Sequence, residues 1–129
     1  MTESLRLLML EDSPVDAELN ERVLRKAGIV FTALRVETQQ AFVAALDEFR
    51  PDLILADYKL PSFDGLHALA IAREKAPQTP YIFVTGAMGE ERAVESIKQG
   101  ATDYLIKDRL ARLPEAVQRA MVEKTQRAQ

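Results

Sequence analysis

Residues 5–12 read LRLLMLED and residues 52–57 read DLILAD, two short apolar runs that each end on acidic residues. Apolar runs of this length, bounded by turn signals and followed by helical patterns, mark buried parallel strands whose carboxyl ends line up along one sheet edge. Glu11, Asp12 and Asp57 would then meet in one crevice. Two like unit charges about 4 Å apart repel by roughly 4 kcal/mol at an effective dielectric near 20, and burial adds to that. A positive partner is therefore required. The sequence offers two: a hard divalent cation with oxygen ligands, or Lys107, which ends a further apolar run, DYLIK.

Outward from these runs, strand and helix patterns alternate five times with short connections. Leu5 to Leu10 is the first strand. Ser13, Pro14 and Asp16 read as an N-cap, a first-turn proline and an acidic residue at the capping-box position. The helix they open carries Leu19, Val23, Leu24 and Ala27 at helical spacing and is closed by Gly28. Phe31 to Val36 is the second strand, and Thr38 caps a helix with Phe42, Ala45, Leu46 and Phe49 on one face. Pro51 stops it before the third strand, Leu53 to Ala56, which Asp57 terminates.

The turn-rich YKLPSFDG follows, with Asp64 as cap of a helix bearing Leu66, Leu69 and Ala70. The fourth strand, Tyr81 to Val84, reaches Thr85, and the small, flexible Gly86-Ala87-Met88-Gly89 leads into a helix whose Ala93, Val94 and Ile97 are expected to face inward before Gly100. Asp103 to Ile106 is the fifth strand. Asp108 is expected to cap the DRLARL turn and Pro114 to start a last helix with Val117, Ala120 and Met121 inside, while KTQRAQ frays. The expected architecture is a doubly wound α/β fold, a five-stranded parallel sheet with five helices covering both faces. Ligands in such sheets bind at the carboxyl ends of strands beside the topological switch point, where Glu11, Asp12, Asp57, Thr85 and Lys107 all fall.

Composition bounds the chemistry. The chain has 129 residues, one domain's worth, with 47% hydrophobic and 29% charged residues. It contains no cysteine, which excludes disulfides, thiolate metal sites and cysteine nucleophiles. No apolar stretch approaches the roughly 20 residues that span a bilayer, and MTESLR lacks signal-peptide features, so a cytoplasmic location without membrane contact is expected. The net charge of −3 argues against a dedicated nucleic-acid module.

Taken jointly, the acidic pair after the first strand, the aspartate followed by KLPSFDG, the Thr-Gly-Ala after the fourth strand and the Tyr-Leu-Ile-Lys on the fifth are specific. From about Leu5 to Met121 the chain resembles a receiver domain of two-component response regulators, similar to the chemotaxis regulators. The resemblance implies a flavodoxin-like three-layer sandwich with strand order 2-1-3-4-5, an order already associated with the chemotaxis regulators. It implies one receiver domain over residues 1–129, core about 5–122, without an output domain, and not an enzyme beyond its own phosphorylation and dephosphorylation.

By the same resemblance Asp57 is the phosphoacceptor, taking phosphate from a sensor histidine kinase or a histidine phosphotransfer protein. Asp12, Asp57 and the main-chain carbonyl of Lys59 would hold Mg2+, with Glu11 helping directly or through water. Lys107 and the Thr85 hydroxyl would meet the phosphoryl oxygens. Thr85 would move toward the phosphoryl group and Tyr104 turn inward, altering the surface of the fourth helix, fifth strand and fifth helix toward a downstream partner. One departure stands out: where the family commonly has proline after the lysine, joined by a cis peptide, this chain has Asp108, so a trans bond is expected and the aim of Lys107 is open.

Each residue also has an ordinary reading. Glu11 and Asp12 suit a solvated turn, Lys107 an exposed strand end, Tyr104 a packed strand aromatic. His67 falls on the third helix, away from the strand ends, as a solvated or core-edge residue, and Arg109, Arg112 and Arg119 suit a solvated face. Competing functions are a degenerate receiver that binds partners without phosphorylation, an aspartate-nucleophile phosphatase and a flavin module. The phosphatase lacks its usual acid, because Lys59 stands two residues after Asp57, and EDSPVD is unlike a flavin phosphate loop.

Overall fold

A computed structural model describes residues 4–58, 60, 63–86 and 90–128. The elements alternate as β1 (Leu5–Leu10), α1 (Pro14–Lys26), β2 (Phe31–Val36), α2 (Gln39–Glu48), β3 (Leu53–Ala56), α3 (Gly65–Lys75), β4 (Tyr81–Thr85), α4 (Glu90–Lys98), β5 (Asp103–Ile106) and α5 (Leu113–Ala128). A 3-10 helix, Lys107–Arg112, joins β5 to α5. The strands form one parallel sheet in the order β2-β1-β3-β4-β5, the flavodoxin-like order. None of the described helices is long and apolar enough to cross a membrane.

Period-two alternation splits the strand side chains between two cores. Leu8, Leu10, Ile54, Tyr81 and Phe83 pack with Phe42, Leu46 and Leu69 of α2 and α3. Leu7, Met9, Leu53, Leu55, Ile82, Val84 and Leu105 pack on the other face with Leu24, Leu113 and Val117 of α1 and α5. The helices meet the sheet largely through small residues, Ala17, Ala45, Ala68, Ala72, Ala93, Ala116 and Ala120, all buried. Small helix residues let the helix axes approach, while the large strand side chains fill the layer between them.

That division of labour corrects three expected helix faces. In α1 the buried residues are Ala17, Asn20 and Leu24, whereas Leu19 is 40% exposed and Ala27 is exposed at the C-cap. In α3, Ala68, Leu69 and Ala72 are buried, Leu66 is half-buried and Ala70 faces solvent. In α4, Ala93 and Ser96 point inward, Ser96 donating its hydroxyl to the Ala93 carbonyl at 2.8 Å, while Val94 and Ile97 are exposed. In α1 and α4 a larger apolar side chain is displaced from the contact line by a smaller neighbour, and in α3 Ala68 and Ala72 take the place expected of Ala70.

The caps follow the sequence. Ser13, Thr38 and Asp64 accept hydrogen bonds from the backbone N–H of Asp16, Ala41 and Leu66. Gly28 and Gly100 close α1 and α4 at φ 85° and 109°, a left-handed backbone suited to glycine. Asp108 does not cap: the 3-10 helix has Ile106 at its N-cap with no side-chain cap bond. Arg109 leaves helical geometry there (φ −127°, ψ 45°), so this connection is a kinked pair of turns rather than one capped helix. The expected trans bond before Asp108 is present, and no cis peptide occurs among the described residues. α5 continues through Lys124 to Ala128, further than the fraying expected of KTQRAQ.

Candidate functional site

The strand register builds the site. Leu10 pairs with Ala56, so Glu11 and Asp57 emerge side by side one residue past β1 and β3. Their backbones extend the ladder, with Glu11 N–H donating to the Val36 carbonyl at 3.0 Å and Asp57 N–H to the Leu10 carbonyl at 3.0 Å. Thr85 pairs with Ile106 across β4 and β5, which sets Lys107 just beyond Thr85. Glu11, Asp57 and Thr85 are buried, while Asp12 and Lys107 are half-buried.

Both oxygens of Asp57 are engaged. The Thr85 hydroxyl donates to Oδ1 at 2.7 Å and the Lys107 ammonium to Oδ2 at 2.9 Å. Burial works to raise the Asp57 carboxyl, but the bonds from Thr85 and Lys107 outweigh it and hold Asp57 below the usual carboxylate range. Lys107 also donates to Glu11 Oε1 at 2.9 Å and to Asp16 Oδ2 at 2.7 Å. Burial opposes the Lys107 charge, yet Asp16, Asp57 and Glu11 together raise it above the usual lysine range. Burial likewise pushes Glu11 up to about 8, against the opposing pull of Lys107. One cation shared among three carboxylates leaves the most buried of them protonated most easily.

Carboxylate oxygens of Glu11, Asp12 and Asp57 lie within 4.8 Å of one another, three hard donors in a half-open crevice. Such a donor set fits a small divalent cation. The Lys59 carbonyl, the fourth expected ligand, lies outside the described residues, as do Ala87, Met88 and Gly89 after Thr85.

The loop carrying Asp57 is pinned from behind. Gly65 N–H donates to the Tyr58 carbonyl at 2.9 Å, and the buried Tyr81 hydroxyl donates to the Gly65 carbonyl at 2.8 Å. A Cβ at Gly65 would collide with the Asp57 carbonyl oxygen and come within 2.9 Å of the Phe83 ring and the Tyr58 Cα. The glycine is there because α3 starts against the backbone of the loop that carries Asp57. On the other flank, Arg35 donates to the Glu11 carbonyl at 3.1 Å and pairs with Glu37 at 3.2 Å. Tyr104 is half-buried against the core shared with α2 and α3, and exposed His67 sits edge-on to Phe63.

The structure therefore brings together Glu11, Asp12, Asp57, Thr85 and Lys107, and it leaves Tyr104 on the adjoining face. Sequence reasoning missed Asp16, Gly65 and Arg35 as members of this neighbourhood. The sequence pattern assigns Asp16 to helix capping, but its carboxylate turns to Lys107 instead. Its position four residues after Asp12, on the first turn of a helix that starts at the strand ends, is the signal that could have found it.

Comparison with known proteins gives the family of this fold. The family model described as response regulator receiver domain matches residues 7–118. The chemotaxis protein CheY of Listeria monocytogenes is 31% identical over 118 residues, which cover 90% of this chain and 98% of that one. The regulatory protein LuxO of Vibrio cholerae is 34% identical over 99 residues, covering 77% of this chain but 21% of LuxO. The chain thus spans about a fifth of the length of the first such regulators it matches, at 21%, 18% and 21%. The crystal structure of the signal receiver domain of a LuxO repressor protein from Vibrio parahaemolyticus superimposes with a TM-score of 0.86 at 26% identity, over 98% of this chain and 96% of that one. By sequence, strand order and the side chains gathered at the strand ends, the chain belongs to the response regulator receiver domain family.

Proposed function

We propose that this receiver domain accepts a phosphoryl group on Asp57 in a Mg2+-dependent reaction and passes the change to a partner. Response regulators receive signals from histidine kinases and act on downstream outputs, and the donor here would be a sensor histidine kinase or a histidine phosphotransfer protein. A carboxylate oxygen of Asp57 attacks phosphorus, the bond from phosphorus to the donor's imidazole nitrogen breaks, and that nitrogen keeps the electron pair. An ionised carboxylate needs no general base, so the depressed Asp57 keeps the nucleophile ready.

The observation that carries this reading is the convergence of Thr85 Oγ1 and Lys107 Nζ on the two oxygens of Asp57. Donors placed in advance where phosphoryl charge arrives lower the barrier without reorganising. Glu11, Asp12 and Asp57 would hold Mg2+, which neutralises phosphoryl charge when bound. After transfer, Thr85 and Lys107 gain acceptors on a group carrying about −1.5 to −2 of charge. The hydroxyl of Thr85 turns from Asp57 toward the phosphoryl group, and half-buried Tyr104 follows it inward. The responding surface is α4, β5 and α5. A degenerate, phosphorylation-independent receiver is the weaker reading, because Lys107 reaches Asp57 at 2.9 Å despite Asp108.

The test is incubation with Mg2+ and a small acyl phosphate, followed by mass and amide spectra. A magnesium-dependent phosphoryl adduct, missing in Asp57→Asn and accompanied by shifts at Thr85 and Tyr104, is expected. Absence of both adduct and beryllofluoride response would leave the phosphorylation-independent module.

A further inference from the structure

Lys107 has three N–H donors, and three carboxylates take them. The Asp16 bond is the shortest at 2.7 Å, against 2.9 Å to Glu11 and 2.9 Å to Asp57. The three acceptors differ in what else they must do. Glu11 and Asp57 belong to the group whose oxygens converge to fit a cation, and Asp57 would also form the new bond to phosphorus. Cation binding and phosphorylation therefore draw on two of the three acceptors that hold Lys107 in place. Asp16 stands outside that group, and its Oδ2 takes the third Lys107 bond.

The two backbones make such an anchor useful. Asp16 is tied at the start of α1, its N–H donating to Ser13 Oγ at 3.2 Å. Lys107 opens the 3-10 helix that has no side-chain cap and breaks its geometry at Arg109. A long side chain on such a connection has many rotamers to lose, and a fixed carboxylate removes that freedom beforehand. We propose that Asp16 is a positioning residue for phosphoryl transfer: its carboxylate fixes the Lys107 ammonium over Asp57 while Glu11 and Asp57 are engaged elsewhere.

This rests on the acceptor role of Asp57, and the experiment separates the two. The rate of adduct formation is measured for the full chain with acetyl phosphate over a range of Mg2+ and donor concentrations. Asp57 takes the phosphoryl group and acetate leaves with the electrons of the broken P–O bond. Wild type is compared with Asp16→Ala and Asp16→Asn, with amide spectra giving the folded fraction of each. Asp16→Ala is expected to lower the maximal rate about tenfold, short of the roughly 10²-fold that a misplacement of about 1 Å costs. Half-saturating Mg2+ should stay within about twofold, because Asp16 stands apart from the cation donors, and Asp16→Asn should recover part of the rate by restoring an oxygen acceptor.

A wild-type rate in Asp16→Ala overturns the inference and leaves the acceptor role of Asp57 standing. So does a rate loss matched by weakened Mg2+ dependence, which makes Asp16 a cation ligand, or one matched by the unfolded fraction. An Asp16→Asn protein as slow as Asp16→Ala overturns hydrogen-bonded positioning. If wild type itself forms no adduct, the acceptor reading falls, and this one with it.

Discussion

The two sides of the site are built differently. On the acidic side, Leu7 to Leu10 of β1 and Leu53 to Ala56 of β3 are at most 1% exposed, and Glu11 and Asp57 continue those buried ladders. On the other side, only Leu105 of β5 is buried, and the helix over it exposes Val94 at 49% and Ile97 at 43%. Under the proposed function, the attacking carboxylate sits on the tightly packed side and the surface that would rearrange is drawn from the thinly packed end of the structure.

The sharpest way to break that contrast is to cut the acidic side. Leu55→Ala, which removes a fully buried β3 side chain, is expected to destabilise by about 2–5 kcal/mol in urea unfolding. A loss no larger than a surface substitution would erase the distinction between the two sides. Gly65→Ala comes next, at about 1–3 kcal/mol, because the added methyl must push the Asp57 carbonyl or the Phe83 ring aside. It should also slow adduct formation far more than its stability loss explains. Normal kinetics in a Gly65→Ala protein would show that the acceptor loop tolerates displacement.

Proton linkage probes the pocket more gently. Glu11 is raised by burial from 4.5 to about 8, so between those values the folded state holds a proton that the unfolded chain releases. Stability of the metal-free protein from this group therefore falls as pH rises through that window. Asp16, lowered by its Lys107 bond, and Asp57, held low by Thr85 and Lys107 against burial, act in the opposite sense. Their contributions are present above 3.8 and are lost as acid takes the pH down through their folded values. Thermal unfolding midpoints without metal should decline from about pH 5 to about pH 8, and Mg2+ binding should tighten over the same range as a proton is released. Glu11→Gln should flatten both trends, and a flat wild-type profile would mean that Glu11 is ionised throughout. The smallest effect belongs to the exposed side: Val94→Ala should change stability by no more than about 0.5 kcal/mol. A large loss would mean that α4 is held more firmly than its exposure implies.

Strand positions were legible because buried parallel strands are short apolar runs bounded by turns, and LRLLML, LILA and DYLI each occupy the strand expected of them. Helix existence and caps were equally legible at Ser13, Thr38, Asp64 and Gly28. Helix faces were legible only in part: those of α2 and α5, and Leu24, Leu69 and Ala93, are buried as expected, but close helix-to-sheet packing selected Ala17 and Ser96 over Leu19, Val94 and Ile97. Asp108 reads as a cap because it follows a strand, but the chain turns there through a kinked 3-10 connection that leaves its side chain without that task.

By itself the sequence determined the fold class, the strand order through its family pattern, and the gathering of Glu11, Asp12, Asp57, Thr85 and Lys107 at one sheet edge, because strand ends are set by local pattern. Only the tertiary structure decided which oxygens Lys107 holds, that Asp16 is among its partners, and that Gly65 supports the acceptor loop from behind. Those contacts join residues 96, 91 and 50 positions apart in the first case and depend on how α1, α3 and β5 approach the sheet. Distances of that kind follow from packing of whole elements, which no local pattern encodes.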